Sequence, residues 1–365
     1  MEQKKKYGQF FTTNYKEILQ DLIIPSDIKV IIEPFVGQGD LLPFIIENIN
    51  NVKIEIYDIK NNYNNLQKEK KGITINPFIK QDTLKNPPNY ENTFVITNPP
   101  YLARNKSINK SIYDKYKTND LFKCFLLSLI KNPPNGGIII LPLNFFCNMR
   151  KNDIDLRNDF FQTFDIINLN IFEKQVFQDT SYQICSFSFK LNLNKLKQKI
   201  IINNIFFRNK KTKLLNDIEI FKKDKWLIGG EIFSLKLNTN ISIYRYVKNR
   251  NYDHLKKQIF YIETIDTKSN KINLTLNKEI FYGKESSRTT ASINTSISNL
   301  SINDQKEICE IFNNILNNYR NKYNSLFLTN FRDNNRKKIS FTLVYDLLNH
   351  SILKWIENND YLLIN

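Results

Sequence analysis

The chain has 365 residues with 41% hydrophobic and 13% aromatic content, enough to fill two ordinary domains and too much for a disordered chain. Four cysteines without C-x-x-C spacing and two histidines (His254, His350) argue against a structural zinc site and a histidine-based triad, so no metal is expected, and they fit a reducing compartment. The net charge of +17 is lopsided: residues 1–191 carry 24 Lys/Arg against 20 Asp/Glu and residues 192–365 carry 29 against 16, which points to chemistry in the first part and polyanion binding in the second.

The opening Met1-Glu2-Gln3-Lys4-Lys5-Lys6 leads into no apolar signal core, and Ile138-Ile139-Ile140-Leu141 is far too short to span a membrane. A cytoplasmic protein, of bacterial or viral origin, is the expectation. Tyr7-Gly8-Gln9-Phe10-Phe11-Thr12 precedes a predicted helix in which Asn14 and Glu17 have capping-box spacing. The aromatic hexapeptide suits either a staple for that helix or a lid over a ligand. Lys29–Ile32 reads as the first sheet strand, and it runs through Glu33-Pro34-Phe35-Val36-Gly37-Gln38-Gly39-Asp40 into a helix from about Leu41 to Asn50. Strand, Gly-x-Gly turn and helix form a nucleotide-binding geometry, although Leu42 replaces the third glycine of a dinucleotide fingerprint. Glu33 at the strand end disfavours a pyrophosphate and favours a cationic ligand.

A second strand, Val52–Tyr57, ends at Asp58, placed either to accept from two ribose hydroxyls or to sit as an ordinary surface acid. A third, near Ile73 to Lys80, ends at Asp82, which could accept from an adenine amino group. The fourth, Thr93–Thr97, is closed by Asn98-Pro99-Pro100-Tyr101, because proline cannot donate to a sheet ladder. This tetrapeptide offers a side-chain carbonyl, the Pro99 carbonyl and a flat aromatic face to a planar molecule with an exocyclic amino group. Leu102 to Thr118 is basic, including Arg104 and Lys106, and reads equally as a phosphate grip or a solvated loop. A helix near 120–130, a strand opened by Gly136-Gly137, a helix near 156–164 and an antiparallel hairpin of strands 166–172 and 182–189 follow. An Asn/Lys-rich stretch at 192–199 marks the expected domain boundary; beyond it the pattern loosens, apart from predicted helices over 304–323 and 341–356.

Together these motifs resemble those of the amino-methylating DNA adenine methyltransferases of restriction–modification systems, in the gamma-class (TaqI-like) order of cofactor motifs, catalytic motif, then target-recognition domain. Tyr7 to Thr12 resembles the cofactor-lid motif, Glu33 to Gly39 the main S-adenosylmethionine motif, and Asn98 to Tyr101 the catalytic motif; Asn119-Asp120-Leu121-Phe122 and Gly136-Gly137 also follow the pattern. The resemblance covers residues 1–191 and implies an α/β, Rossmann-like S-adenosylmethionine-dependent methyltransferase sheet with helices on both faces. Residues 200–365 would then form a mixed α/β DNA target-recognition domain.

The resemblance further implies S-adenosyl-L-methionine bound by Tyr7, Gly8, Phe11, Thr12, Glu33, Phe35, Gly37, Gly39, Asp58, Ile59, Asp82 and Asn98. It implies catalysis by Asn98, Pro99, Pro100 and Tyr101, with Phe177 stacking on a flipped adenine and therefore exposed in the free protein. Double-stranded DNA, contacted by Arg104, Lys106, Arg288, Arg336, Lys337 and Lys338, and a separate cognate restriction endonuclease are the expected partners of a monomer. The competing readings are an RNA adenine-N6 or protein glutamine methyltransferase with the same Asn-Pro-Pro-Tyr site, and a non-catalytic DNA-binding subunit.

Overall fold

The computed structural model describes residues 12–63, 70–177, 182–192, 194, 196–208, 212–252, 257–266, 270–329 and 336–359. The expected lid residues Tyr7, Gly8 and Phe11 lie outside these. The chain divides into two compact units after Trp226.

The first unit is built on one sheet of ten strands: β1 (Val30–Glu33), β2 (Val52–Asp58), β3 (Ile73–Ile75), β4 (Ile79–Lys80), β5 (Phe94–Thr97), β6 (Gly136–Pro142), β7 (Phe164–Phe172), β8 (Ile184–Leu191), β9 (Lys199–Arg208) and β10 (Lys213–Phe221). Its order is β10-β9-β7-β8-β6-β5-β1-β2-β3, with β4 also on β2. Strands β3, β2, β1, β5 and β6 run parallel, whereas β8 is antiparallel to both β6 and β7. Strands β1, β5 and β6 carry near-continuous apolar runs and are buried along almost their whole length, as the central strands of a parallel sheet covered on both faces must be. The helices of this unit are α1 (Tyr15–Ile18), α2 (Leu42–Asn48), α3 (Ser111–Tyr116), α4 (Leu121–Lys131), α5 (Asn144–Cys147) and α6 (Lys151–Thr163). From β1 the chain builds outward through α2 to β2, whereas β5 and β6, joined through α3 and α4, lie on the other side of β1. Right-handed crossovers then put α2 and α4 on opposite faces. The order therefore reverses between β1 and β5, and ligands bind in the crevice at the carboxyl edge of such a switch point. This is the expected Rossmann-like sheet.

Three expectations are corrected. Tyr15, Ile18, Leu19, Leu22 and Ile23 fall at helical spacing, yet the helix stops at Ile18, where side chains from the sheet bond the carbonyls that a longer helix would use. Ser186 Oγ donates to the Ile18 carbonyl, Asn170 Nδ2 donates to that of Gln20 (2.8 Å), and Arg208 pairs with Asp21 (2.6 Å). The stretch 102–118 is not all loop, since its apolar face folds α3 with Tyr113 and Tyr116 buried. Lastly, residues 199–221 do not begin the second unit. The β-branched run Ile200-Ile201-Ile202, whose side chains alternate between buried and exposed, makes β9, which runs parallel to β7, and β10 closes a hairpin on it. Trp226 ends the first unit, packed on Phe161 with its indole donating to Asn158 (3.2 Å).

The second unit is mixed α/β. Strands β11 (Ile243–Arg245), β15 (Thr290–Thr295), β12 (Phe260–Glu263) and β14 (Leu274–Leu276) form an antiparallel sheet in that spatial order, and β13 (Ile265–Asp266) pairs with β16 (Lys337–Lys338). Helices α7 (Ile302–Tyr323) and α8 (Phe341–Asn358) start where Ser301 and Ser340 cap them, Ser301 in a full capping box with Asp304. Asn313 of α7 lends its amide to the edge of β14, accepting from the Leu274 amide and donating to the Leu274 carbonyl, both at 2.8 Å.

Candidate active site

The carboxyl ends of β1, β2 and β5 open into one cavity of about 360 Å³. Thr12, Glu33, Phe35, Gly37, Asp58, Ile59, Asp82, Asn98, Pro100 and Lys106, all expected site residues, line it, together with Asp40, Leu84, Leu102, Ile112 and Tyr113. Adjacency of β1 and β5 explains why residues 65 positions apart meet: the pairing of Ile32 with Val95 carries Glu33 and Asn98 to the same edge.

The turn after β1 is held by the end of β2. Gly37 and Gly39 both take positive φ (56° and 92°), which L side chains rarely adopt, and a Cβ on Gly39 would also sit 3.1 Å from the Tyr63 ring. Asp58 Oδ2 accepts from the Gly37 amide and Oδ1 from the Lys60 amide, each at 3.0 Å. These bonds orient the carboxylate toward the cavity that Asp58 lines. Burial raises the Asp58 carboxyl above its ordinary range, against the lowering effect of those amides. Asp82 Oδ1 accepts from the Leu84 and Lys85 amides (3.1 Å each), which leaves Oδ2 for the cavity.

Glu33 is 1% exposed. Its Oε1 accepts from Thr97 Oγ1 (2.6 Å) and the Phe35 amide (3.1 Å), while buried Oε2 has no hydrogen-bond partner among the described residues. Burial pushes this carboxyl up to about 8, opposed by the Thr97 and Phe35 bonds and reinforced by nearby Asp58. An orphaned buried acid facing a cavity fits a ligand that brings positive charge or a donor. With the carboxylates of Asp58 and Asp82 in the same cavity, this set of acceptors fits S-adenosyl-L-methionine.

Asn98 stands half-buried at the end of β5. Its Nδ2 donates to Thr12 Oγ1 (3.0 Å), and the Thr12 amide donates to Asp40 Oδ2 (2.9 Å), so Thr12 is tied to both the β5 turn and the Gly-x-Gly turn. Asp40 directly follows that Gly-x-Gly turn, and this proximity is the signal that could have identified it. Segment 119–121 clamps the other side: the Arg104 amide donates to the Asn119 carbonyl (2.9 Å) and the Leu121 amide to that of Leu102 (3.2 Å). Behind the clamp, buried Lys123 pairs with Asp153 and donates to Asn119 (2.9 Å), a network that sequence spacing does not reveal.

Two aromatic expectations are corrected. Tyr101 does not offer an open face; it is 4% exposed, packs edge-on against Phe122, and its hydroxyl lies against both Asn98 Oδ1 and the Ile140 carbonyl (2.8 Å). Apolar packing claims the ring, and the polar tip finds partners at the edge of β6. Phe177, expected exposed, is 5% exposed and does not line the cavity; nor does Pro99 or Gly39. Arg104 is paired with Asp114 (2.7 Å). In the second unit, Arg288 and Arg336, drawn from distant stretches, converge on Lys338: burial and then repulsion from those two guanidinium groups lower its ammonium. The β13–β16 pairing explains this, since Thr264, just before β13, donates its hydroxyl to the Arg288 carbonyl (2.8 Å) while Ile265 faces Lys338.

Among the described residues no group of histidines, cysteines and acids is arranged to hold a metal ion, and no helix is long and apolar enough to cross a membrane. No family model matches the sequence. Of curated proteins, the chain is 25% identical over 251 residues to the ribosomal RNA small subunit methyltransferase A of Fusobacterium nucleatum subsp. nucleatum, covering 61% of this chain and 91% of that protein. Of solved structures, it is similar to a modification subunit of a putative type I restriction enzyme from Vibrio vulnificus YJ016, with 12% identity, 55% of this chain and 47% of that chain covered, and a TM-score of 0.39. It is also similar to the type IIG restriction endonuclease BpuSI, with 13% identity over 66% of this chain and 36% of that chain and a TM-score of 0.39. A putative class I S-adenosylmethionine-dependent methyltransferase from Listeria monocytogenes matches at 12% identity over 50% of this chain and 58% of that chain, with a TM-score of 0.36. The chain spans less than two thirds of each of these three solved chains.

Proposed function

We propose that this protein is an S-adenosyl-L-methionine-dependent methyltransferase that modifies N6 of an adenine flipped out of duplex DNA, protecting that DNA from a cognate endonuclease. The observation that carries the reading is the shared cavity: Asn98 opens onto the same space as Glu33, Asp58 and Asp82, at the point where the sheet order reverses. Glu33 would face the cationic end of the cofactor, Asp58 the ribose and Asp82 the adenine. When bound, the cofactor supplies an electrophilic methyl group.

The chain's own residues prepare the nucleophile. The amide oxygen of Asn98, which lines the cavity where Pro99 does not, accepts an N6 hydrogen and draws the nitrogen lone pair out of conjugation with the ring, so that it becomes available for in-line attack. The Tyr101 hydroxyl lies against the Asn98 amide oxygen and steadies its orientation. An acceptor fixed in advance beside the nitrogen where positive charge grows lowers the barrier, and holding the two reactants in line contributes further. With the boundary at Trp226 the positive excess is shared, 34 Lys/Arg against 23 Asp/Glu over residues 1–226 and 19 against 13 over residues 227–365; the second unit would bind the duplex and read its sequence through the local cluster of Arg288, Arg336 and Lys338.

The match to a ribosomal RNA methyltransferase favours one second reading, an RNA adenine substrate at the same site. The test expresses the protein in a heterologous host, sequences host DNA for modified bases and measures methylated adenosine in host ribosomal RNA by mass spectrometry. N6-methyladenine in a defined DNA sequence supports the first reading. RNA methylation with unmodified DNA replaces it with the second.

A further inference from the structure

We propose that Ile108 is an apolar wedge that fills the gap left in the base stack when the target adenine turns into the cavity. The inference rests on the DNA reading above and names how the site engages its substrate. Ile108 is 88% exposed, yet it lines the same cavity as Asn98 and Pro100, so it stands at the mouth through which a substrate enters.

The loop that presents it is shaped from within. The Lys106 amide donates to the Ala103 carbonyl (2.8 Å), Ser107 Oγ to the Asn109 carbonyl (2.7 Å), and the Ser111 amide to Asn109 Oδ1 (2.9 Å). The Arg104–Asp114 pair ties the loop to α3. Ile108 is thus held out by a structured turn. Scattered exposed apolar residues are ordinary, but this one projects from a turn at the mouth of the cavity.

Its neighbours select the occupant. Lys106 and Lys110 place positive charge on either side of Ile108, Arg104 being paired with Asp114, and the residues flanking Ile108 are all polar. A protein partner would call for a contiguous apolar patch. A nucleic-acid duplex asks for cations along its phosphates and a single apolar group between bases, which is how wedge side chains unstack a base step. Flipping is easiest where pairing is already lost, so a wedge matters most when the target is fully paired.

The experiment uses the full-length protein and a duplex carrying the methylated sequence identified in host DNA. It compares single-turnover methylation of that duplex with one in which the nucleotide opposite the target adenine is abasic. Ile108→Ala is expected to slow the paired duplex by about tenfold and the abasic one by less than about twofold, with Ile108→Leu restoring the rate. Unchanged cofactor affinity by calorimetry shows that the variant is folded. An equal loss on both duplexes, or no loss on either, overturns the wedge. If the wild-type protein itself leaves duplex DNA unmodified, the DNA reading fails first and the wedge falls with it.

Discussion

The two charged centres of this molecule are opposites in more than sign. In the first unit Glu33, Asp58 and Asp82 line one cavity, and burial raises the proton affinity of Glu33 and Asp58. In the second, Arg288 and Arg336 lie near Lys338 of the two-stranded ribbon, where Arg288 is exposed and repulsion helps lower Lys338. A buried cluster of one sign suits a small ligand that completes its hydrogen bonds and charge inside the cavity. A surface cluster suits an extended polyanion, whose released counterions drive binding. The contrast separates chemistry from grip, and four experiments sharpen or break it.

The largest effect is expected at Asn98. Asn98→Ala removes one fixed acceptor and should lower the rate of methyl transfer by about 100–1000-fold while calorimetric cofactor affinity survives. Tyr101→Phe is the finer version, since it keeps the ring and removes the hydroxyl against Asn98; a loss of about tenfold in kcat at unchanged KM for substrate is expected. Full activity in Asn98→Ala would sink the mechanism. Next comes Asp58→Ala, which strips the Gly37 and Lys60 amides of their acceptor and would remove the carboxylate proposed to hold the ribose. Cofactor affinity should weaken by about tenfold or more, again by calorimetry. Unchanged affinity would show that this carboxylate serves only the turn.

On the other side of the comparison, replacing Arg288, Arg336 and Lys338 together with Ala should flatten the salt dependence of duplex binding, by about 0.9 in the log–log slope for each phosphate that the variant no longer neutralises. Cofactor affinity should not change. A wild-type slope in the triple variant would make this cluster an ordinary solvated surface. The smallest effect concerns Glu33. Its folded-state value of about 8 lies above the ordinary 4.5, so the folded protein holds the proton more tightly than the unfolded chain. The stability this contributes is present in full below about 4.5 and is lost as pH rises toward and through 8. Thermal melts should therefore show a decline in Tm across that window which Glu33→Gln reduces. Asp120, raised by burial to about 7, leaves a remainder in the same direction. An identical pH profile in Glu33→Gln would contradict a buried, proton-holding Glu33.

Local chemistry alone was enough to read much of this protein. Prolines that cannot extend a ladder placed Asn98 at the end of β5, glycines with positive φ marked the turn after β1, and short apolar runs marked β1, β5 and β6 as buried strands. The acids at strand ends followed from that edge. What sequence could not determine were properties set by neighbours far along the chain. Only the pairing of β9 with β7 shows that residues 199–221 extend the first sheet, because an alternating strand carries no mark of its partner. Only packing against Phe122 and the Ile140 carbonyl turns Tyr101 inward, and only the crossing of β13 with β16 brings Arg288 to Lys338. Residue type and spacing determine which edge a side chain can reach. Burial, and with it charge state and exposure, depends on what the folded chain brings against it.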